Sequence, residues 1–181
     1  MVDKYSEKHL ATIADTTENR LFGKYRGIVT DIDANKGNEG ENMGFITVQI
    51  PEIYCDGILP LVKPCVSFAG ENCGFFAFPK KGDLIWIEFE GGDQSRPLWS
   101  GFWWKKGAIP DFMSLEMVGL VSRTGHKITM DDNSGIISLA HAKGPTIDVT
   151  DKEITFKVGR TKMVISDRGV TINDNTFEVK T

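Results

Sequence analysis

Apolar residues alternate through the last third of the chain, and this pattern constrains the fold more than anything else in the sequence. Apolar side chains fall on every second position in short runs: Ile128/Met130, Ile137/Leu139, Ile147/Val149, Ile154/Phe156/Val158, Met163/Ile165, Val170/Ile172 and Phe177/Val179. Between them stand polar residues such as Asp148, Thr155, Lys157, Thr171 and Glu178. Successive side chains of a strand point to opposite faces, so the segment reads as a β ribbon with one apolar and one polar face. Turn formers separate the runs: Asp151-Lys152, Gly159, Asp167-Arg168-Gly169 and Asn173-Asp174-Asn175. A narrow ribbon has no second layer on which to bury its apolar face, and its edges are unpaired. Identical copies wrapped about one axis meet both needs, because each apolar row then faces its symmetry mates inside a slender prism. The pattern therefore predicts an obligate oligomer; a single-chain β-roll or a second small sandwich is the alternative.

The preceding part has a different rhythm. Runs rich in β-branched and aromatic residues alternate with Gly, Pro and Asn/Asp clusters: FGKYRGIVTDID, GFITVQI, PCVSFA, GFFAF, DLIWIEFE and PLWSGFWW. They predict about five or six strands between Phe22 and Trp104. In DLIWIEFE, Ile85, Ile87 and Phe89 face one way and Leu84, Trp86, Glu88 and Glu90 the other, so one face covers a core. So few short strands without helical periodicity suit a small closed barrel of the OB type, an all-β architecture, better than a sandwich of about seven strands. The predicted organisation is an N-terminal extension (1–20), a barrel (21–105), a linker (106–120) with Gly107 and Pro110, and the one-faced ribbon (121–181). Within the extension, Tyr5, Leu10 and Ile13 can share one side of a short helical turn over residues 5–14.

Composition removes several functions. With 21 Lys+Arg against 25 Asp+Glu, a net charge of -4 gives no general attraction to phosphate backbones, and nucleic acid is not expected as a partner. The start MVDKYSEKHL carries charges where a secretory signal needs an apolar run, so the chain reads as made in the bacterial cytoplasm without a signal peptide. Cys55, Cys65 and Cys73 fit neither a disulfide framework nor paired zinc ligands and read as reduced thiols. Asp31, Asp33, Asn35 and Gly37 are spaced like a calcium loop, but Lys36 and Asn42 occupy the positions that need Gly and Glu, which leaves an acidic hairpin loop. His9, His126 and His141 are isolated in sequence, and neither of the last two, with Asp131 or Asp132, matches a metal motif. No nucleophile signature surrounds Cys65 or Cys73, so neither enzyme activity nor a cofactor is expected. Trp99, Phe102, Trp103 and Trp104 read as core and subunit-contact residues, with a stacking platform as the alternative. That alternative carries a second functional reading, an OB-fold carbohydrate- or nucleic-acid-binding module with a β-rich tail.

One block is more specific. Gly74, Phe75, Pro79, Gly82, Asp83, Phe89, Glu90, Gly92, Asp93, Arg96, Pro97 and Gly101 resemble the signature of the phage baseplate assembly protein V / VgrG-type central spike family. YRGIVTDID with MGFITVQIPE resembles the family's first hairpin, and LVSRTGHKITMDD resembles the start of its spike. The resemblance implies an OB-fold barrel leading into an intertwined trimeric β-helix or β-prism, which forms the central spike of a contractile tail or tail-derived particle. Its trimer core would be the fifteen apolar residues given above. Some family members carry a lysozyme-like domain after the barrel, for which the interval Trp104 to Leu120 is too short. Others end in an iron-binding His-x-His apex, whereas this chain ends TFEVKT. The resemblance thus implies a separate tip protein of the PAAR kind, a separate hub protein, and a target cell envelope met on firing.

Overall fold

Short runs of β-branched and aromatic residues, cut every few positions by Gly, Pro or Asp, form strands and turns throughout. The structure, a computed structural model, describes residues 20–32, 44–54, 57–110, 112–173 and 177–180. The helical turn anticipated over 5–14, His9, Cys55 and the loop from Asp33 to Asn42 lie outside the described residues. The chain divides into two compact units, Met1–Ile109 and Pro110–Thr181.

In the first unit β1 (Tyr25–Asp31), β2 (Ile46–Gln49), β3 (Ile58–Pro64), β6 (Leu84–Phe89) and β7 (Pro97–Phe102) close a barrel in the order β1-β2-β3-β7-β6. Neighbours are antiparallel except β3 and β7, which are parallel at Lys63–Leu98 and Pro64–Trp99. A two-residue hairpin, β4 (Ala69–Gly70) with β5 (Cys73–Gly74), is inserted between β3 and β6. The alternation in β6 appears as read: Ile85, Ile87 and Phe89 are buried and Leu84, Trp86 and Glu88 half-buried. With Val29, Ile46, Val48, Ile50, Val62 and Trp99 they make the core. The Trp99 indole donates to the Gly44 carbonyl at 2.7 Å, so a polar atom taken into the core keeps a partner.

Two expected strands are not there, and one that exists was hidden. PCVSFA and GFFAF form almost no ladder, only the short β4–β5 pair. Phe68, Phe75 and Phe76 are exposed instead. The barrel's third strand is ILPLVKP, which two prolines and a left-handed Leu61 (φ 58°) disguise.

The second unit is an eight-stranded meander: β8 (Met117–Val121), β9 (Lys127–Asp131), β10 (Ile136–Ala140), β11 (Thr146–Val149), β12 (Glu153–Val158), β13 (Thr161–Ser166), β14 (Gly169–Ile172) and β15 (Phe177–Lys180), each paired with the next. Every strand from β9 to β14 has both of its neighbours in its own chain. Its turns include left-handed residues where the sequence supplies glycine, as at Gly135 (φ 67°) and Gly159 (φ 59°). The sheet begins inside the anticipated linker. Gly119 masks the alternation of MVGLV, and its missing side chain matters: a Cβ there would stand 2.9 Å from the Ile128 carbonyl oxygen on β9.

Candidate functional site

Regular pairing places the alternating apolar residues in two columns on one face of the meander. One column runs Leu120, Ile128, Leu139, Ile147, Phe156, Met163, Ile172 and Phe177; the other runs Val118, Met130, Ile137, Val149, Ile154, Ile165, Val170 and Val179. Val158 continues the first column's side of β12, opposite Thr161. Val118 and Leu120 extend columns that the sequence pattern started at Ile128.

Burial is inverted along β9 and β10. Ile128, Met130, Ile137 and Leu139 are 51, 44, 52 and 50% exposed, while their polar alternates Lys127, Thr129, Asp131 and Ser138 are half-buried. Phe177 is 59% exposed, and Ile147, Val149, Phe156, Met163, Val170 and Ile172 are half-buried. None of the fully buried core side chains comes from this unit. The polar face, by contrast, is internally satisfied: Ser138 Oγ donates to Asp148, and Thr146 Oγ1 reaches the same carboxylate at 3.2 Å. Lys127 Nζ lies 4.0 Å from the Phe112 ring centre. The apolar face holds no group able to do chemistry; what it can do is bury itself, at about 1.5–3 kcal/mol per large side chain fully covered.

In the barrel, the signature glycines, prolines and carboxylates from Pro79 to Asp93 stand at turns, while Pro97 and Gly101 lie on β7 and Gly74, on β5, lines an open cavity with Phe68, Phe75 and Phe76. Gly82 (φ 89°) donates to the Val29 carbonyl at 2.8 Å and Asp83 accepts from Val29 at 3.0 Å, which locks β1 to the start of β6. The Asp83 carboxylate accepts the Lys80 amide at 2.7 Å. After Phe89, Glu90 pairs with Arg96, and Asp93 accepts both the amide (2.9 Å) and hydroxyl (2.7 Å) of Ser95. The Ser95 hydroxyl, then its amide, hold the Asp93 carboxyl below the ordinary aspartate range. Gly92 is buried and left-handed (φ 78°), and a Cβ there would meet Arg20 and Phe22 at about 3 Å. Pro79 and Pro97 are buried, Gly101 sits beside the β6–β7 bulge, and Gly74 approaches the Phe68 carbonyl too closely for an easy side chain. Phe75 differs: it is 48% exposed, beside Phe68 and Phe76 on the hairpin.

Residues 25–104 match the family model of the type VI secretion system/phage-baseplate injector OB domain, and residues 117–178 match that of the phage baseplate V C-terminal trimerisation domain. The chain belongs to the phage baseplate V / VgrG-type family. It is a structural component of a phage baseplate or type VI injector, and the meander is its trimerisation domain. No curated protein matches the sequence. Among the described residues, no helix is long and apolar enough to cross a membrane.

The remaining candidate chemistry of this baseplate V member separates in space. His126 and His141, distant in sequence, meet with ring centroids 4.4 Å apart. The register around Ile128 and Leu139 puts them opposite one another, which was the missing signal. Each Nδ1 accepts a backbone amide, from Ala142 at 3.4 Å and from Lys143 at 3.2 Å. Asp131 and Asp132 stand at the other end of β9. No group of three or more metal-ligating side chains occurs among the described residues. Cys65 and Cys73 are free and exposed. The four aromatics do not share a face: Trp99 is core with Phe102 against it at 6.0 Å, Trp103 lies beside Trp86 under the Arg26 guanidinium, and Trp104 is exposed.

Proposed function

We propose that this chain is the central spike of a contractile tail or injection particle. Three copies pack their apolar faces into a prism, the barrels join a separate hub at the tube, and the prism points toward the target envelope. The observation that carries the reading is the two-column apolar face, on which no described side chain is fully buried, in the segment that matches a trimerisation domain.

Size argues for how the sheets close. Each strand offers two inward apolar residues, and β12 a third in Val158, so three sheets whose strands run across the axis fill a triangular core with about six side chains per level. Strands running along the axis would instead form a ring of roughly 24 strands, when barrels of about 16 already hold water. With strands across the axis, eight of them stack to about 34 Å at about 4.8 Å spacing. With the strands across the axis, the ladder bonds run along it and carry axial load from strand to strand through the whole stack. β15 is an end strand of the sheet, and its outer ladder edge suits a PAAR-type tip. The exposed Phe68, Phe75 and Phe76 supply apolar surface for the hub joint. The trimer core we assign is the fifteen residues from Ile128 to Val179, joined by Val118 and Leu120, and the signature residues of the barrel shape its turns and pack its strands. We assign no catalytic step: β7 ends at Phe102 and β8 begins at Met117, which leaves no room for a hydrolase domain.

Sedimentation of the purified chain tests this reading. A trimer that persists on dilution is expected, and a monodisperse monomer overturns it. Phe76→Ser should leave that trimer intact and lower incorporation into particles.

A further inference from the structure

The turns of a meander alternate between two margins of the sheet, and here the margins carry opposite charge. Beside the β8–β9, β10–β11 and β12–β13 turns stand Arg123, Lys143, Lys157, Arg160 and Lys162, with no carboxylate among the described residues of these three turns; the fourth turn of that margin, which contains Asp174, lies outside the described residues. Beside the β9–β10, β11–β12 and β13–β14 turns, and at the start of β8, stand Glu116, Asp131, Asp132, Asp151, Glu153 and Asp167, offset in part by Lys152, Arg168 and Lys180. A single chain does not profit from this segregation. Lys157 and Lys162 lie directly opposite across β12 and β13, a like-charge cross-strand pair that is unfavourable by itself.

The alternation also staggers the two margins along the stack. Each basic turn lies at a height between two acidic turns. Arg123 falls between Glu116 and Asp132, Lys143 between Asp132 and Asp151, and Arg160 between Asp151 and Asp167. At the last of these heights the acidic margin is concave, with a notch lined by Asp151, Lys152, Glu153, Ser166, Asp167 and Arg168.

A cyclic trimer has heterologous interfaces, so one margin of each copy must meet the opposite margin of the next. With strands running across the axis, those margins are the prism's corners. Resting on the spike reading above, we propose that the basic margin of each copy docks against the acidic margin of the next, with the Arg160 turn seated in the neighbour's Asp151–Asp167 notch. The occupant is a second copy of this chain. The same segregation opposes side-by-side twofold pairing, which would set cation against cation, and so selects a closed ring over a dimer.

The test uses the full chain in three variants: Arg123→Glu/Lys143→Glu/Arg160→Glu, Asp132→Lys/Asp151→Lys/Asp167→Lys, and all six substitutions together. Sedimentation across a concentration series at low salt is expected to show each triple variant needing more than tenfold higher concentration to trimerise than the unmodified chain. The six-fold variant should return toward the unmodified behaviour. Raising salt to 0.5 M should narrow the differences, because exposed charges are then screened within a few ångströms. Misfolding would be worst in the six-fold variant, so its recovery separates pairing from damage. Triple variants that trimerise like the unmodified chain, or a six-fold variant no better than the triples, overturn the pairing while leaving the spike reading intact. An unmodified chain that is monomeric overturns the spike reading itself. Should the first variant keep its trimer but lose binding to anionic vesicles that the unmodified chain binds, the basic margin serves an anionic surface and the pairing is wrong.

Discussion

The barrel and the meander are written in the same residues, short β-branched and aromatic runs cut by glycine, yet they satisfy their apolar faces in different ways. The barrel curls until its inner face meets itself, and Val48, Ile50, Val62, Ile85 and Ile87 end with essentially no exposure. The meander stays open, and among its described column side chains none is fully buried in one chain. Closure makes the first unit's stability a property of the chain. Openness makes the second unit's stability depend on concentration and partners, because anything that binds only the folded form stabilises it by mass action.

Phe156→Asp should break the comparison most completely. It places a carboxylate in all three copies of the shared core and should abolish the trimer in sedimentation, whereas Thr155→Asp, one residue away on the polar face, should leave it intact. Ile87→Ala acts on the other side of the divide. A thermal melt of the full chain should show the barrel losing about 2–5 kcal/mol, with the trimer unchanged. Gly119→Val should cost about 1–3 kcal/mol in the melt of the trimer, since its side chain meets the Ile128 carbonyl and Thr129 on a strand that cannot retreat. The smallest effect belongs to Glu88, whose carboxyl the Lys24 ammonium holds below the ordinary glutamate range through a hydrogen bond. A carboxyl with a lowered folded pKa adds stability above its unfolded value of about 4.3, and loses it as pH falls through the lower folded value. Both side chains are more than a third exposed, so Glu88→Gln should shift the barrel's stability by no more than about 0.5 kcal/mol at pH 7, and by less at pH 3.

Much of this division was legible before any coordinates. Strict alternation in residues 128–179 announced a sheet with one uncovered face, and Ile85, Ile87 and Phe89 announced a barrel strand. Legibility failed where a local rule was overridden by a neighbour. Pro60 and Pro64 argue against a strand, yet β3 exists because its partners β2 and β7 supply the ladder that its own propensity does not favour. The phenylalanines of GFFAF argue for a strand, but no partner strand runs beside them. Gly119 hid β8 because close approach to Ile128 needs a residue without a side chain. His126 and His141 could be paired only once the β9–β10 register was known.

The sequence by itself determined which residues face the core and that the C-terminal sheet cannot cover its own apolar side, because period-two alternation follows directly from backbone geometry. Only the tertiary structure decided which alternating runs stand beside one another, that the apolar residues align in two continuous columns, and that charges scattered along the chain collect on opposite margins. Register and turn direction are set by pairing between distant segments, and a one-dimensional pattern carries the face of each residue without carrying its neighbour.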